Sequence, residues 1–202
     1  MVDAFKALPG GGPSRAGFKY VRQTISKLLP DDPAFANTGL NPKSIESTLL
    51  SQWINGTATT DQVNIAKSLI KLRLSATTAA ALASTTGVDA NILTQVAQNI
   101  STATPFNQAQ SDVYGRFDLM LTTLLDQAYQ RADQRYRNTA KAWAMVAAVV
   151  LAVVANRFLS PPMETGVAIL VGLLATPVAP VAKDLASAIQ TASQTMQAVK
   201  KV

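Results

Sequence analysis

The chain has 202 residues, of which 48% are hydrophobic, and it carries a formal net charge of +6. It contains no cysteine and no histidine, which excludes disulfide frameworks, Cys/His zinc sites, cysteine nucleophiles and Ser-His-Asp triads. Charged residues make up only 15%, against roughly 25% in ordinary soluble domains, and the deficit lies between Ala142 and Ala182, where Arg157 and Glu164 are the only charges.

The N-terminal residues 1–16 include Pro9, three consecutive glycines and Pro13, which predicts a flexible segment. They contain no apolar core of a signal peptide, so we expect none. The basic residues are scattered along the chain. Two sets of them are distant from each other in sequence, namely Lys6, Arg15, Lys19, Arg22 and Lys27, and Arg131, Arg135, Arg137 and Lys141. Because they form no compact stripe and no recognised motif, we expect no nucleic-acid partner.

Residues 17–104 have apolar side chains at helical spacing, interrupted by capping and turn residues, and predict a cytoplasmic helical bundle. Asn41 and Pro42 predict the start of one helix, and Asn55-Gly56 its end. The Ala/Thr-rich stretch 75–86 predicts only a weak helix that ends at Gly87. The predicted buried positions are Phe18, Val21, Ile25, Leu28, Leu29, Ile45, Leu49, Leu50, Trp53, Val63, Ala66, Ile70, Leu74, Ile92, Leu93, Val96 and Ile100.

From about residue 107 no proline interrupts the pattern until Pro161, which predicts one long helix. We interpret its residues 107–141 as a stem between the bundle and a hydrophobic run. The candidate contacts to a protein partner on this stem are Phe117, Tyr129, Tyr136, Arg131 and Arg135.

Three carboxylates of the stem, Asp118, Asp126 and Asp133, follow each other at intervals of eight and seven residues. Paired carboxylates on adjacent turns would need intervals of three or four. We therefore interpret them as ion-pair partners of Arg131 and Arg137. We expect no catalytic residue, no metal ligand and no cofactor.

Two apolar segments, 142–155 and 165–182, predict a two-helix membrane anchor over residues 142–182. The alternative is a helical hairpin buried inside a soluble protein. Small residues would allow the two helices to approach closely. They are Ala147, Ala148 and Ala152 on the first segment and Gly166 and Gly172 on the second. The residues predicted to hold the anchor in the bilayer are Trp143, Val149, Leu151, Leu170, Leu173, Pro177 and Pro180.

Positive charge precedes the first apolar segment and follows the second, which by the positive-inside rule places both termini in the cytoplasm. The residues that set this topology are Arg137, Lys141, Arg157 and Lys183. Residues 183–202 carry apolar side chains at helical spacing and predict a C-terminal amphipathic helix.

The runs Phe117-Asp118, Asp126-Gln127-Ala128 and Asp133-Gln134-Arg135-Tyr136-Arg137, followed by an apolar helix, resemble an uncharacterised family of bacterial integral membrane proteins. Residues 7–18 resemble a linker of the same family, and residues 174–185 a segment of its cyanobacterial-type members. The resemblance implies a C-terminal transmembrane group in a bacterial inner or internal membrane, thylakoid membranes included. It implies no biochemical activity.

These features predict an all-α, non-enzymatic protein that acts as a membrane-anchored adaptor or structural subunit. Its expected partners are the lipid bilayer and the proteins of a larger assembly. Two alternatives stay open. An oligomeric channel or pore is favoured only by Arg157 and the kinking prolines, and a soluble interaction protein would need the buried hairpin.

Overall fold

The computed structural model describes residues 12–175, and the regular structure among them is entirely helical, which confirms the all-α prediction. We number the α-helices in chain order. They are α1 (Gly12–Leu28), α2 (Pro42–Asn55), α3 (Thr59–Leu72), α4 (Ala79–Thr86), α5 (Ala90–Thr102), α6 (Gln108–Asn156) and α7 (Thr165–Ala175), with a 3₁₀ turn at Pro33–Phe35.

The chain divides into two compact units, Met1–Asn138 and Thr139–Val202, which we call the N-terminal unit and the C-terminal unit. The long helix α6 contributes residues to both. Residues 107–138 therefore belong to the same compact unit as the predicted bundle, which corrects their interpretation as a separate stem. The physical reason is that the apolar stripe of this part of α6 completes the core of the bundle.

Helix ends in the N-terminal unit follow local capping chemistry. The Asn41 side chain accepts a hydrogen bond from the backbone N–H of Ser44 at 2.8 Å, and Gly56 ends α2 at a φ of +73°. Asp89 caps α5 in the same way through the N–H of Ile92 at 2.9 Å. A side-chain acceptor at the N-cap satisfies a backbone donor that the helix leaves free, so these boundaries were predictable from the sequence.

Two helix boundaries differ from the sequence-based prediction. Helix α1 already begins at Gly12 rather than near Phe18, since Pro13 is tolerated in a first helical turn; residues 12–16 are therefore helical. Helix α4 begins only at Ala79. Just before α4, the Thr78 hydroxyl donates to the carbonyl of Arg73 at 2.6 Å and accepts from the N–H of Ser75 at 2.9 Å. These side-chain hydrogen bonds take the place of the backbone hydrogen bonds of a helical turn.

The core of the N-terminal unit is formed by one apolar face from each helix. Most positions predicted to be buried are buried; the exceptions are Ile100, which is 47% exposed, and Leu50 and Ile92, which are half-buried. Helix α6 adds a continuous stripe at helical spacing to this core. Its members are Phe117, Leu121, Leu125, Ala128, Tyr129, Ala132 and Tyr136.

An ion-pair cluster joins α3 to α6. Asp118 lies 2.9 Å from the amino group of Lys71 and 3.2 Å from that of Lys67. Burial alone would raise the pKa of Asp118, but the hydrogen bonds and charges of the two lysines outweigh it, so the pKa lies below its ordinary value. The folded state therefore binds the proton less readily than the unfolded state does.

We expect Asp118→Asn to lower the free energy of unfolding at pH 7 by about 1 kcal/mol or less, because the pair is partly solvated. This contribution is present above the unfolded-state pKa and is lost as the pH falls through the lowered pKa of the folded state. The difference between variant and parent should therefore shrink as the pH falls below the ordinary aspartate pKa of about 3.9. Urea unfolding at pH 7 and at pH 3, in a nonionic detergent, measures it.

Asp126→Asn is the matched control, since Asp126 lies on the same helix and forms no ion pair with the described residues. It should change stability little at either pH. A loss in Asp118→Asn that persists at low pH would contradict the ion-pair explanation.

Candidate membrane interface

The C-terminal unit leaves most of its large apolar side chains uncovered. Of the twenty exposed large hydrophobic residues in the described chain, fifteen lie beyond Asn138. Leu151 is 68% exposed and Phe158 85%. Large exposed apolar patches are typical of surfaces that contact a membrane or another protein.

Helix α6 is the one helix among residues 12–175 that is long and apolar enough to cross a membrane. The mean hydropathy of its most apolar window of 18 residues is 1.7. The core helix of a soluble protein can satisfy the same criteria of length and composition. Such a helix is mostly buried, whereas only 6% of this window is buried. The described part of the chain therefore does not cover its own apolar helix.

The connection between α6 and α7 is closed by a buried side chain. Asn156 donates a hydrogen bond to the carbonyl of Met163 and accepts one from its N–H, both at 2.8 Å. Only 6% of Asn156 is exposed. Since its amide satisfies both backbone groups of Met163, the intervening residues are held as a loop.

Helices α6 and α7 lie close together at Gly172. A Cβ atom at this position would lie 2.6 Å from the Cα of Val149 and 3.0 Å from the carbonyl oxygen of Ala148. A small residue lets two backbones come this close, as the sequence predicted. The same prediction for Gly166 is wrong, because a Cβ atom there would meet nothing within 4 Å.

The predicted anchor residues are mostly exposed. Trp143, Leu151, Leu170 and Leu173 are exposed, and Val149 is half-buried beside Gly172. Pro177 and Pro180 lie outside the described residues. Three of the residues predicted to set the topology are exposed, namely Arg137, Lys141 and Arg157. The fourth, Lys183, and the predicted helix 183–202 lie outside the described residues.

The aromatic residues predicted to contact a partner are part of the core instead. Phe117 and Tyr129 are fully buried and Tyr136 is 2% exposed. The ring of Trp53 lies 6.2 Å from that of Tyr129 and 6.4 Å from that of Tyr136. The prediction that the two tyrosines contact a partner was wrong for a simple reason. An interval of seven residues puts both tyrosines on one helix face, but spacing does not show whether that face contacts a partner protein or packs inside the bundle.

The polar groups of Tyr129, Asp118 and Arg137 on α6 differ in their surroundings. The Tyr129 hydroxyl is buried without a hydrogen-bond partner among the described residues, and burial raises its pKa. Arg137 pairs with Asp133 at 2.7 Å, as predicted, whereas Asp118 pairs with lysines of α3. Within residues 12–175 no three His, Cys, Asp or Glu side chains come together as metal ligands.

The remaining two predicted contacts, Arg131 and Arg135, are exposed on α6. Arg131 lines a cavity together with Lys27 of α1. The sequence places these two cations in separate basic groups more than a hundred residues apart, and no local signal indicated that they meet.

Comparison with protein-family models, curated proteins and solved structures yields no match for this chain. The resemblance to bacterial membrane proteins therefore stays a prediction from the sequence.

Proposed function

We propose that this protein is a membrane-anchored adaptor or structural subunit, whose C-terminal unit inserts in a bacterial inner or internal membrane. The observation that carries the proposal is the uncovered apolar surface of the C-terminal unit. Leaving it in water would be costly, at about 25 cal/mol per Å² of apolar area.

In this proposal α6 and α7 form a transmembrane hairpin. Spanning a bilayer takes about 20 residues, with a lower limit near 17. The first segment reaches this length if Arg157 extends its side chain towards water at the far interface, with Trp143 at the near one. The apolar sequence after Ala175 extends the second segment to residue 182. The positive charges before and after the pair favour cytoplasmic termini.

The N-terminal unit would be the part that docks to a protein assembly. Phe117, Tyr129 and Tyr136 are occupied inside its core, so docking falls to side chains on its surface. The best candidates are Leu72, which is 63% exposed near the end of α3, and Leu119, which is 65% exposed on α6. Both lie next to residues of the ion-pair cluster that joins the two helices.

Two double variants separate anchoring from docking. Leu151→Arg with Leu170→Arg charges both proposed membrane helices, at roughly 2.5–3.5 kcal/mol for each arginine near a bilayer centre. We expect this variant to be released from membranes by an alkaline carbonate wash, whereas the parent stays in the pellet. Leu72→Arg with Leu119→Arg introduces the same charges at similarly exposed leucines of the N-terminal unit and should leave membrane retention unchanged.

Native gel analysis of a mild detergent extract then tests docking. The parent should migrate with a large complex, and the Leu72→Arg/Leu119→Arg variant should migrate alone. Release of the parent by carbonate would overturn the membrane anchor. Retention of the parent as an unassociated monomer would overturn the adaptor role while leaving the anchor intact.

A further inference from the structure

A cavity of about 310 Å³ lies between α1, the end of α4 and α6 in the N-terminal unit. The Thr85 hydroxyl donates to the carbonyl of Lys27 at 3.2 Å and so ties the end of α4 to α1 at the cavity wall. Part of the lining is apolar and comes from Leu124 and Ala128. The volume is near the lower end of small-molecule sites, which span about 300–1,000 Å³.

The polar lining of this cavity consists of cations and neutral hydrogen-bonding groups. Lys27 and Arg131 supply two positive charges, while Tyr20 and Thr24 supply hydroxyls and Gln127 an amide. No carboxylate lines the cavity. Among the described residues, neither Lys27 nor Arg131 forms an ion pair. Two like charges around one cavity repel each other, and an anion between them would turn that repulsion into attraction.

The positive charge continues along α1. A neighbouring cavity of about 550 Å³ is lined by Arg15, Lys19 and Arg22 and shares Gln23 with the first. Of these cations, Arg22 pairs with Glu46, and the other two form no ion pair with the described residues. The surroundings of the first cavity therefore also favour an anion.

We propose that the cavity lined by Lys27 and Arg131 binds a phosphate group carried on a small organic substituent. The Arg131 guanidinium can donate two parallel hydrogen bonds to phosphate oxygens, and Lys27 adds a point charge. The hydroxyls of Tyr20 and Thr24 are further donors. The apolar wall suits the carbon portion of the ligand. This chemistry is shared by a soluble phosphate ester and by the headgroup of an anionic phospholipid.

The test uses the full chain in a nonionic detergent at constant ionic strength. Isothermal titration calorimetry measures binding of sn-glycerol 3-phosphate and, separately, of mixed micelles that contain phosphatidylglycerol. We expect Arg131→Gln and Lys27→Gln each to weaken binding about tenfold or more, the loss expected for a charge-assisted hydrogen bond to phosphate.

Matched controls make the result specific to the cavity. Arg135→Gln lies one helical turn further along α6, and Lys43→Gln lies on α2; both remove the same charge at exposed positions outside the cavity. They should change the dissociation constant less than about twofold. All four residues are exposed, so far-UV circular dichroism and the melting temperature should match the parent, which excludes misfolding.

Either ligand can support the proposal, and the two arms identify the source. Binding of glycerol phosphate that depends on Arg131 and Lys27 indicates a soluble ester. Binding of phosphatidylglycerol micelles alone, with the same dependence, indicates a lipid headgroup. Binding of neither probe overturns the proposal, and so does an equal loss in the cavity variants and their controls, because that result would reflect the overall positive charge of the surface.

Discussion

Replacing Arg73 with alanine is expected to lower the free energy of unfolding of the N-terminal unit by about 3–5 kcal/mol. Arg73 is fully buried after the end of α3. Its guanidinium donates to the carbonyl oxygens of Pro30 and, at 3.2 Å, of Leu40, and lies 5.2 Å from the centre of the Phe35 ring. Alanine would leave two carbonyls without this donor and a cavity beneath the α1–α2 connection.

The size of this effect follows from the number of groups that depend on one side chain. A domain of this kind has a total stability of about 5–15 kcal/mol, so the variant should be close to unfolding. Urea titration followed by far-UV circular dichroism, with the full chain in a nonionic detergent, measures the loss.

Two further substitutions show which property of Arg73 matters. Arg116→Ala removes an arginine from an exposed position of α6 and should change stability by less than about 0.5 kcal/mol. Arg73→Met restores the volume without the donors, so it should recover only part of the loss. Full recovery in Arg73→Met would contradict the role of the hydrogen bonds and leave packing as the explanation.

Adding a single methyl group at Gly17 is expected to destabilise the N-terminal unit by about 2–3 kcal/mol. Helix α1 lies against α6 at this position. A Cβ atom here would lie 2.5 Å from the carbonyl oxygen of Ala132 and 3.2 Å from the Cβ of Tyr136. Both atoms belong to or adjoin the backbone of α6, so relief of the clash requires the two helices to move apart.

Gly115→Ala is the matched control, because Gly115 is also helical but a Cβ atom there meets nothing within 4 Å. Alanine is favoured over glycine in a helix by about 1 kcal/mol. The control should therefore stabilise the protein by about 0.5–1 kcal/mol, while Gly17→Ala destabilises it. Stabilisation by both substitutions in urea titration would contradict the close contact of α1 with α6.

Several features of the fold could be predicted because their causes are local in the sequence. The caps at Asn41 and Gly56 satisfy backbone groups of their own helix, and the buried stripe Val21, Ile25 and Leu28 follows helical periodicity. The candidate membrane interface was predictable for the same reason, since an apolar run with few charges is a property of composition.

Other features depended on contacts between residues that are distant in sequence. The role of Gly17 depends on Ala132 of another helix, and that of Arg73 on the carbonyls of a loop more than thirty residues earlier. The sequence around a single glycine or arginine in a helical pattern does not indicate which distant residue will pack against it.

The sequence by itself determined the all-helical class, most helix ends and the exceptional apolar composition beyond Ala142, because each depends on residues within a few turns of one another. Only the tertiary structure decided that Tyr129 and Tyr136 are core residues rather than partner contacts, and that Lys27 and Arg131 line one cavity. The physical reason is that periodicity defines a helix face, while the choice between core, partner and ligand for that face depends on which distant side chains pack against it.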